Sequence, residues 1–270
     1  MRVIFCARKN VSLLALDHIL KLKWQVLAVA PKTPEPEWAE KPTFEQGLEQ
    51  RKIKYAHQDQ VLEAIAGKSS PKFVKQFLAR PVDLVISYLF PEKIKSPLLK
   101  LPTLAAINFH PGPLPEYGGR AGYNYAILER RKTYGVTAHH MEETFDTGDI
   151  ILKRKFKFNA KTATALELEQ ITRPHLLNLF YEVVAMIQSK AGLPRRKQGR
   201  TRYVTRQEFE EAKQIDPVRE NAEQIEAKAR AFWYPPYEGA FLDIGGRHFT
   251  IIPEEQLKLL AGLVHQKKKD

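Results

Sequence analysis

An α/β fold is what this 270-residue sequence predicts: a mostly parallel sheet flanked by helices, with a small helix-plus-β-hairpin region at the carboxyl end. Three observations predict it. The chain opens β-α-β, with residues 2–6 apolar and β-favouring, 11–21 at helical spacing and 24–30 apolar again. Residues 82–88, VDLVISY, form a near-continuous apolar run, as in a strand covered on both faces. Residues 239–252, GAFLDIGGRHFTII, read as a hairpin turning at Gly245-Gly246.

A hydrophobic content of 43% supplies enough apolar material for an ordinary core. No run of eighteen apolar residues occurs, and MRVIFCARKN enters a strand without a cleavable signal pattern, so a cytoplasmic protein with no membrane partner is expected. The single cysteine, Cys6, fits a reducing compartment and lies in the first strand, which argues against a thiol nucleophile. The net charge of +12 points to a polyanion, whether nucleic acid, anionic membrane or phosphorylated small molecule, without choosing among them. Part of that charge sits at 190–206, which reads as an exposed linker, and part at 265–270, which reads as a solvated tail.

In chain order, the first βα turn, ARKNVS at 7–12, lacks the glycine fingerprint of a dinucleotide site. Backbone N–H groups at a helix start still favour an anion, which makes Lys9 and Asn10 candidates for a substrate phosphate, with solvated surface as the rival reading. Three prolines mark 32–42 as a loop. Residues 44–51 look helical, 53–57 extended and 69–80 helical behind Ser69-Ser70-Pro71. The strand at 82–88 then exits through Tyr88-Leu89-Phe90-Pro91, beside the exit of the next strand.

That next strand, 104–109, empties into a Pro/Gly loop through Asn108-Phe109-His110. Ligands collect at the carboxyl ends of strands in α/β sheets. Side chains alternate, so Asn108 and His110 face one side and Phe109 the other. A short helix at 122–130 and a strand at 135–141 lead to a tight loop at 144–149, where Asp146 is placed to reach back. An amide, an imidazole and a carboxylate suit acyl transfer to an amine. Asn108 and a protonated His110 would stabilise the oxyanion, Asp146 would orient His110 and favour its charged form, and the carboxylate or a water it positions would take the amine's proton. The rival is that strand-end Asn and His satisfy local backbone groups.

The loop Pro111-Gly112-Pro113-Leu114-Pro115 is stiff and Gly118-Gly119 soft, which suits a wall with a moving lip, and Leu114–Pro115 is the bond expected to be cis. Arg120, Tyr123 and Asn124 are candidate substrate contacts, against plain helix surface. His139 and His140 alternate across a strand, lack further ligands and are expected to be structural, so no metal is assigned. Residues 150–158 read as a strand, 164–190 as a long helix kinked or divided at Pro174, and 206–213 and 222–231 as helices.

The pattern Asn108-x-His110-Pro111-x-x-Leu114-Pro115, followed by Gly135-Val136-Thr137 and Asp146-Thr147-Gly148, resembles the 10-formyltetrahydrofolate-dependent formyltransferases over roughly residues 1–190. The resemblance implies a catalytic set of Asn108, His110 and Asp146. It implies a pterin pocket lined by Tyr88, Leu89, Phe90 and Pro91 and by Glu143, Thr144 and Phe145. Residues 215–252, with R-A-F-W-x-P-P-x-x-G-A at 230–240, resemble the carboxyl-terminal part of nucleotide-sugar N-formyltransferases. There Trp233 and Tyr234 would stack on a base, a contact worth about 1–3 kcal/mol, or else join the small domain to the large one.

The implied layout is a Rossmann-like catalytic domain at 1–195, a small domain at 196–264 and a basic tail at 265–270. The implied activity moves a formyl group from 10-formyltetrahydrofolate, as co-substrate and without metal, to a dTDP-linked 3- or 4-amino-dideoxy sugar for glycan or lipopolysaccharide O-antigen biosynthesis. An unpaired hairpin edge points to a homodimer through the carboxyl-terminal region. Two rivals stand beside this: methionyl-tRNA formylation, favoured by the charge and opposed by the short region after the linker, and a non-catalytic nucleotide- or folate-binding protein, opposed by the intact triad.

Overall fold

The computed structural model describes residues 1–258. The segment 265–270 lies outside them. The described chain forms two compact units, one of Met1–Glu116, Gly135–Arg154 and Arg173–Thr201, the other of Tyr117–Tyr134, Lys155–Thr172 and the chain from Arg202 on.

Seven strands form the main sheet: β1 (Arg2–Ala7), β2 (Gln25–Ala30), β3 (Tyr55–His57), β4 (Leu84–Tyr88), β5 (Ala105–His110), β6 (Thr133–His140) and β7 (Ile150–Lys157). Their order is β3-β2-β1-β4-β5-β6-β7. Pairing from β3 through β5 is parallel, and β5 with β6 is antiparallel. The strand order reverses between β1 and β4, the kind of position where open α/β sheets form a ligand crevice at their carboxyl ends.

Burial on both faces explains the apolar runs. Ile4, Cys6, Leu27, Val29 and Val85 pack with Val61, Val74 and Leu98, which come from α3 (Gln58–Ile65), α4 (Lys72–Leu78) and α5 (Ser96–Leu99). Phe5, Tyr88 and Phe109 meet Phe180 at ring separations of 6.5, 5.7 and 4.9 Å. Phe180 belongs to α7 (Ala165–Ser189), which runs through Pro174 undivided. The strand β7 lies at one end of the sheet and carries Lys153, Arg154, Lys155 and Lys157, charges that blunt an edge against further pairing.

Two helices escape a sequence reading. α3 starts directly at the end of β3, with no Gly or Pro between; Gln60 Oε1 accepts from the His57 N–H at 2.9 Å in place of a loop signal. α5 is a single turn that begins Ser96-Pro97. The remaining helices of the first unit are α1 (Ser12–Lys21) and α2 (Phe44–Gln50), the latter opened by a Thr43/Gln46 capping box.

In the second unit α6 (Gly122–Leu128) packs on α9 (Ala222–Ala231), where Asn124 Nδ2 donates to the Ala231 carbonyl at 2.7 Å. Asn124, a candidate substrate contact by sequence, is thereby a helix tie. The buried Arg230 guanidinium donates to the carbonyls of Ala160 and Ala163 at 2.6 and 3.1 Å. Tyr117, Glu129, Arg131 and Arg202 form one polar cluster, and the Tyr117 hydroxyl is pushed up to about 12 by burial and by its bond to Glu129. α8 (Arg206–Lys213) is opened by a Thr205/Glu208 capping box. The hairpin of β8 (Phe241–Ile244) and β9 (Arg247–Thr250) turns through Gly245 and Gly246 at φ +61° and +78°, the left-handed pair that such two-residue turns require. Among the described residues no helix is long and apolar enough to cross a membrane.

Candidate active site

The β5–β6 register builds the site. Asn108 lies opposite His139, and His110 opposite Thr137. Asn108 and His110 point away from the Phe109–Phe180 contact and reach one carboxylate: Asn108 Nδ2 is 3.4 Å, and His110 Nδ1 3.5 Å, from Asp146 Oδ1. His110 and Asp146 are buried. The three residues that the sequence pattern singled out therefore meet.

His139 belongs with them, although its sequence context marked it only as structural. Its Nδ1 is 2.8 Å from the His140 carbonyl, which can only accept, so Nδ1 carries a proton. In the neutral ring Nε2 then accepts from Asn108 Nδ2 at 3.0 Å, and the same Nε2 lies 3.5 Å from Asp146 Oδ1. The 3.4 Å approach to Asp146 is long for a hydrogen bond, which leaves the second amide proton weakly engaged. No signal in the sequence reveals His139, because its role follows from cross-strand pairing.

The loop that carries Asp146 is held from several sides. Asp146 itself sits at φ +57°, in the left-handed region. A Cβ on Gly148 would lie far inside contact distance of the His140 carbonyl oxygen, so only glycine fits there. The stretch expected as an exposed linker is exposed at most positions and is also fastened to this loop. Ile150 and Arg196 exchange backbone hydrogen bonds at 2.8 and 3.1 Å, Gln198 Nε2 donates to the carbonyls of Asp146 and Gly148 at 2.9 and 2.6 Å, and Thr201 Oγ1 donates to Asp146 O at 3.1 Å. The carbonyls of a turned-out loop need donors, and these side chains supply them. His140, on the same strand, approaches Pro194 O through Nε2 at 3.2 Å; burial, then Arg195, lowers its pKa from the ordinary value.

The wall after His110 is ordered as well. Thr137 Oγ1 donates to Gly112 O at 2.8 Å and accepts from Leu114 N–H at 3.0 Å, and Leu114–Pro115 is cis. At the exit of β4, Tyr88 is fully buried, Phe90 is 9% exposed and Leu89 adopts φ +56°. Glu143, Thr144 and Phe145 are exposed, the Phe145 ring at 45%. Pro91 is half-buried.

The other candidates are dispersed. The Lys9 N–H donates to Glu35 Oε1 at 3.2 Å, and Asn10 Nδ2 to Pro42 O at 2.9 Å. In the second unit Arg120 is exposed, Tyr123 packs on Tyr134 at 5.4 Å, Trp233 is buried and Tyr234 bonds Glu169. Among the described residues no group of three or more His, Cys, Asp or Glu side chains could hold a metal ion.

The chain is similar to known proteins in sequence and in fold. GDP-perosamine N-formyltransferase of Brucella melitensis is 31% identical over 170 residues, 63% of this chain; the match spans 64% of that protein's length. Methionyl-tRNA formyltransferase of Clostridium beijerinckii is 24% identical over 96% of this chain and 81% of its own length. The same fold is seen in the N-formyltransferase of Helicobacter canadensis, solved with folinic acid and dTDP-3-aminofucose, at TM-score 0.71 and 20% identity over 90% of this chain and 84% of that one. The formyl transferase family profile matches residues 3–184, the stretch that contains Asn108, His110, His139 and Asp146, and the chain belongs to that family.

Proposed function

We propose that this protein transfers a formyl group from 10-formyltetrahydrofolate to the amine of a nucleotide-linked amino sugar, with a dTDP-linked 3- or 4-amino-dideoxyhexose as the acceptor class. One observation carries the reading: Asn108 and His110 converge on the Asp146 carboxylate in a formyl transferase family member. Family neighbours support both substrates, since the Helicobacter canadensis enzyme was solved with a folate and a dTDP-amino sugar, and the Brucella relative adds a GDP-linked acceptor to those worth testing.

The donor set fits the chemistry. The folate supplies the formyl carbon, the acceptor amine attacks it to form the new C–N bond, and the bond from that carbon to the folate nitrogen then breaks, the nitrogen leaving with a proton. Between the two steps charge grows on the formyl oxygen, where the weakly engaged Asn108 amide proton and the His110 ring stand as donors. Asp146, 3.5 Å from His110 Nδ1, orients that ring, and the carboxylate or a water on it takes the amine's proton.

The reading extends to Leu89, Phe90, Pro91, Glu143, Thr144 and Phe145 as the pterin surface, with exposed Phe145 as an apolar face for it, while the Tyr88 side chain packs in the core against Phe109 and Phe180. Arg120, Tyr123, Trp233 and Tyr234 are proposed for the acceptor, with exposed Arg120 as the cation for its diphosphate, whereas Lys9 and Asn10, expected there from the sequence, are engaged by the protein's own loop. It also includes a catalytic module at 1–195 with an accessory region at 196–264, a cytoplasmic homodimer formed through that region, a role in lipopolysaccharide O-antigen synthesis, and no membrane or tRNA partner.

A second reading, methionyl-tRNA formylation, has one observation of its own: the Clostridium beijerinckii relative matches along 96% of this chain. Consumption of 10-formyltetrahydrofolate is measured with dTDP- and GDP-linked amino sugars and, in parallel, with methionyl-tRNA, using Asp146→Asn as control. Turnover on a nucleotide sugar that disappears in the control is expected. Turnover on methionyl-tRNA alone moves the function to translation, and binding of folate or nucleotide without turnover in any arm leaves a binding protein.

A further inference from the structure

We infer that Gln198 is a positioning residue for the catalytic carboxylate, acting through the backbone of Asp146. The inference rests on the formyl-transfer reading for its kinetic consequences, and on geometry alone for the strap itself.

The Asp146 side chain points at Asn108 and His110 while its backbone holds a left-handed φ of +57°, a region that aspartate tolerates better than most residues with a Cβ and that turns the loop's carbonyls outward in need of donors. Gly148, two residues on, is pressed against the His140 carbonyl. Constraint comes from one side-chain amide. Gln198 Nε2 spans the loop, donating one proton to Asp146 O at 2.9 Å and the other to Gly148 O at 2.6 Å, and Thr201 Oγ1 adds a third bond to Asp146 O at 3.1 Å.

The orientation of that amide is fixed by chemistry, since a flipped group would set its oxygen against two carbonyl oxygens that can only accept. Gln198 Oε1 is buried and has no hydrogen-bond partner among the described residues. Buried acceptors without partners are rare because they cost stability. A position that tolerates an orphaned oxygen is using the nitrogen. Backbone pairing of Arg196 with Ile150 keeps the strap in register with the strand that follows the loop.

The test compares Gln198→Glu and Gln198→Leu with the wild type in steady-state formyl transfer, with thermal unfolding as the check on folding. Displacing a reacting group by about 1 Å costs up to roughly 100-fold. Both variants are therefore expected to lower kcat by about 10- to 100-fold at neutral pH, with donor and acceptor KM within about threefold of wild type. Gln198→Glu is close to isosteric but faces two carbonyls with a carboxylate, which donates only when protonated. Its kcat relative to wild type is expected to rise as pH falls toward the carboxyl range, whereas Gln198→Leu shows no such recovery. Unchanged kcat in both variants, or a loss expressed in KM alone, would overturn the inference.

Ring-resolved NMR supplies a readout that needs no acceptor. Gln198→Leu is expected to move the His110 imidazole resonances, because the carboxylate 3.5 Å from its Nδ1 shifts. Unmoved resonances overturn the strap. If wild type turns over no acceptor while the resonances do move, the substrate reading fails and the strap stands.

Discussion

The exits of β1 and β5 are built from similar residues and end up in opposite conditions. Each is the carboxyl end of a strand paired with β4, and each presents an amide within three residues of a basic group, Lys9-Asn10 in one and Asn108-x-His110 in the other. At β5 the side chains turn toward one carboxylate and toward His139. At β1 the chain's own loop consumes the donors. Glu35 Oε1 accepts from the N–H groups of Lys9 and Phe44 at 3.2 and 2.8 Å, while Asn10 and Arg8 donate to the carbonyls of Pro42 and Pro34. A carboxylate of the protein already stands where an anionic ligand would meet those backbone donors. Residue type at a strand end states what chemistry is possible, and the neighbouring loop decides whether it is spent.

The sharpest test of this contrast is at β5. Asn108→Ala and His110→Ala are each expected to lower kcat by about 10²- to 10³-fold, the range for removing one preorganised oxyanion donor. Thermal unfolding should move little for Asn108→Ala, since the residue is only half-buried. Retained turnover in either variant would dissolve the distinction between the two exits.

Next in size is the glycine that lets the Asp146 loop close. Gly148→Ala puts a methyl group against the His140 carbonyl, a backbone atom that cannot step aside. Overpacking of this kind costs about 1–3 kcal/mol, and urea or thermal unfolding should register it together with loss of activity. Gly199→Ala, on the strap that grips the same loop, meets nothing within 4 Å among the described residues and is the control expected to be near neutral. Equal behaviour of the two variants would mean that the loop is not closed by this contact.

Much of this was legible in the sequence, for identifiable reasons. The parallel sheet shows in residues 82–88 because a strand buried on both faces has no polar alternation to hide it. The triad shows because Asn108, His110 and Asp146 sit in turns rich in Pro and Gly, where few backbones are possible. The hairpin shows because Gly245-Gly246 suits one turn geometry. What stayed hidden depends on pairing. His139 acquires its role only when β6 lies antiparallel to β5 in one register, and Gln198 only when a basic stretch lies on the loop 50 residues earlier. The turn at β1 misleads for the same reason: Glu35 lies 26 residues away, and nothing local announces it.

A smaller effect separates a ligand site from a self-satisfied turn. If the β1 exit is occupied by its own loop, Lys9→Ala and Asn10→Ala should change acceptor KM by less than about threefold, under 1 kcal/mol of binding free energy. A tenfold rise in KM for Lys9→Ala, with kcat unchanged, would show that substrate displaces Glu35 and that the two exits act together.

The smallest expected effect is on stability, and it comes from the reverse face of β6. His140 is held neutral by burial, with Arg195 adding to the same direction, and its folded pKa lies below the ordinary value near 6.5. The sign follows from linkage. The unfolded chain binds this proton more readily than the folded one, so the contribution of His140 is fully present above pH 6.5 and is lost as pH falls through the depressed folded value. Thermal unfolding of the wild type should therefore drop between pH 7 and pH 5, and His140→Asn should show a shallower drop over that window while keeping its formyl-transfer pH profile. A profile that changes in the acid limb instead would place His140 in the chemistry beside His139, and would make the β5 exit a larger site than the three converging side chains define.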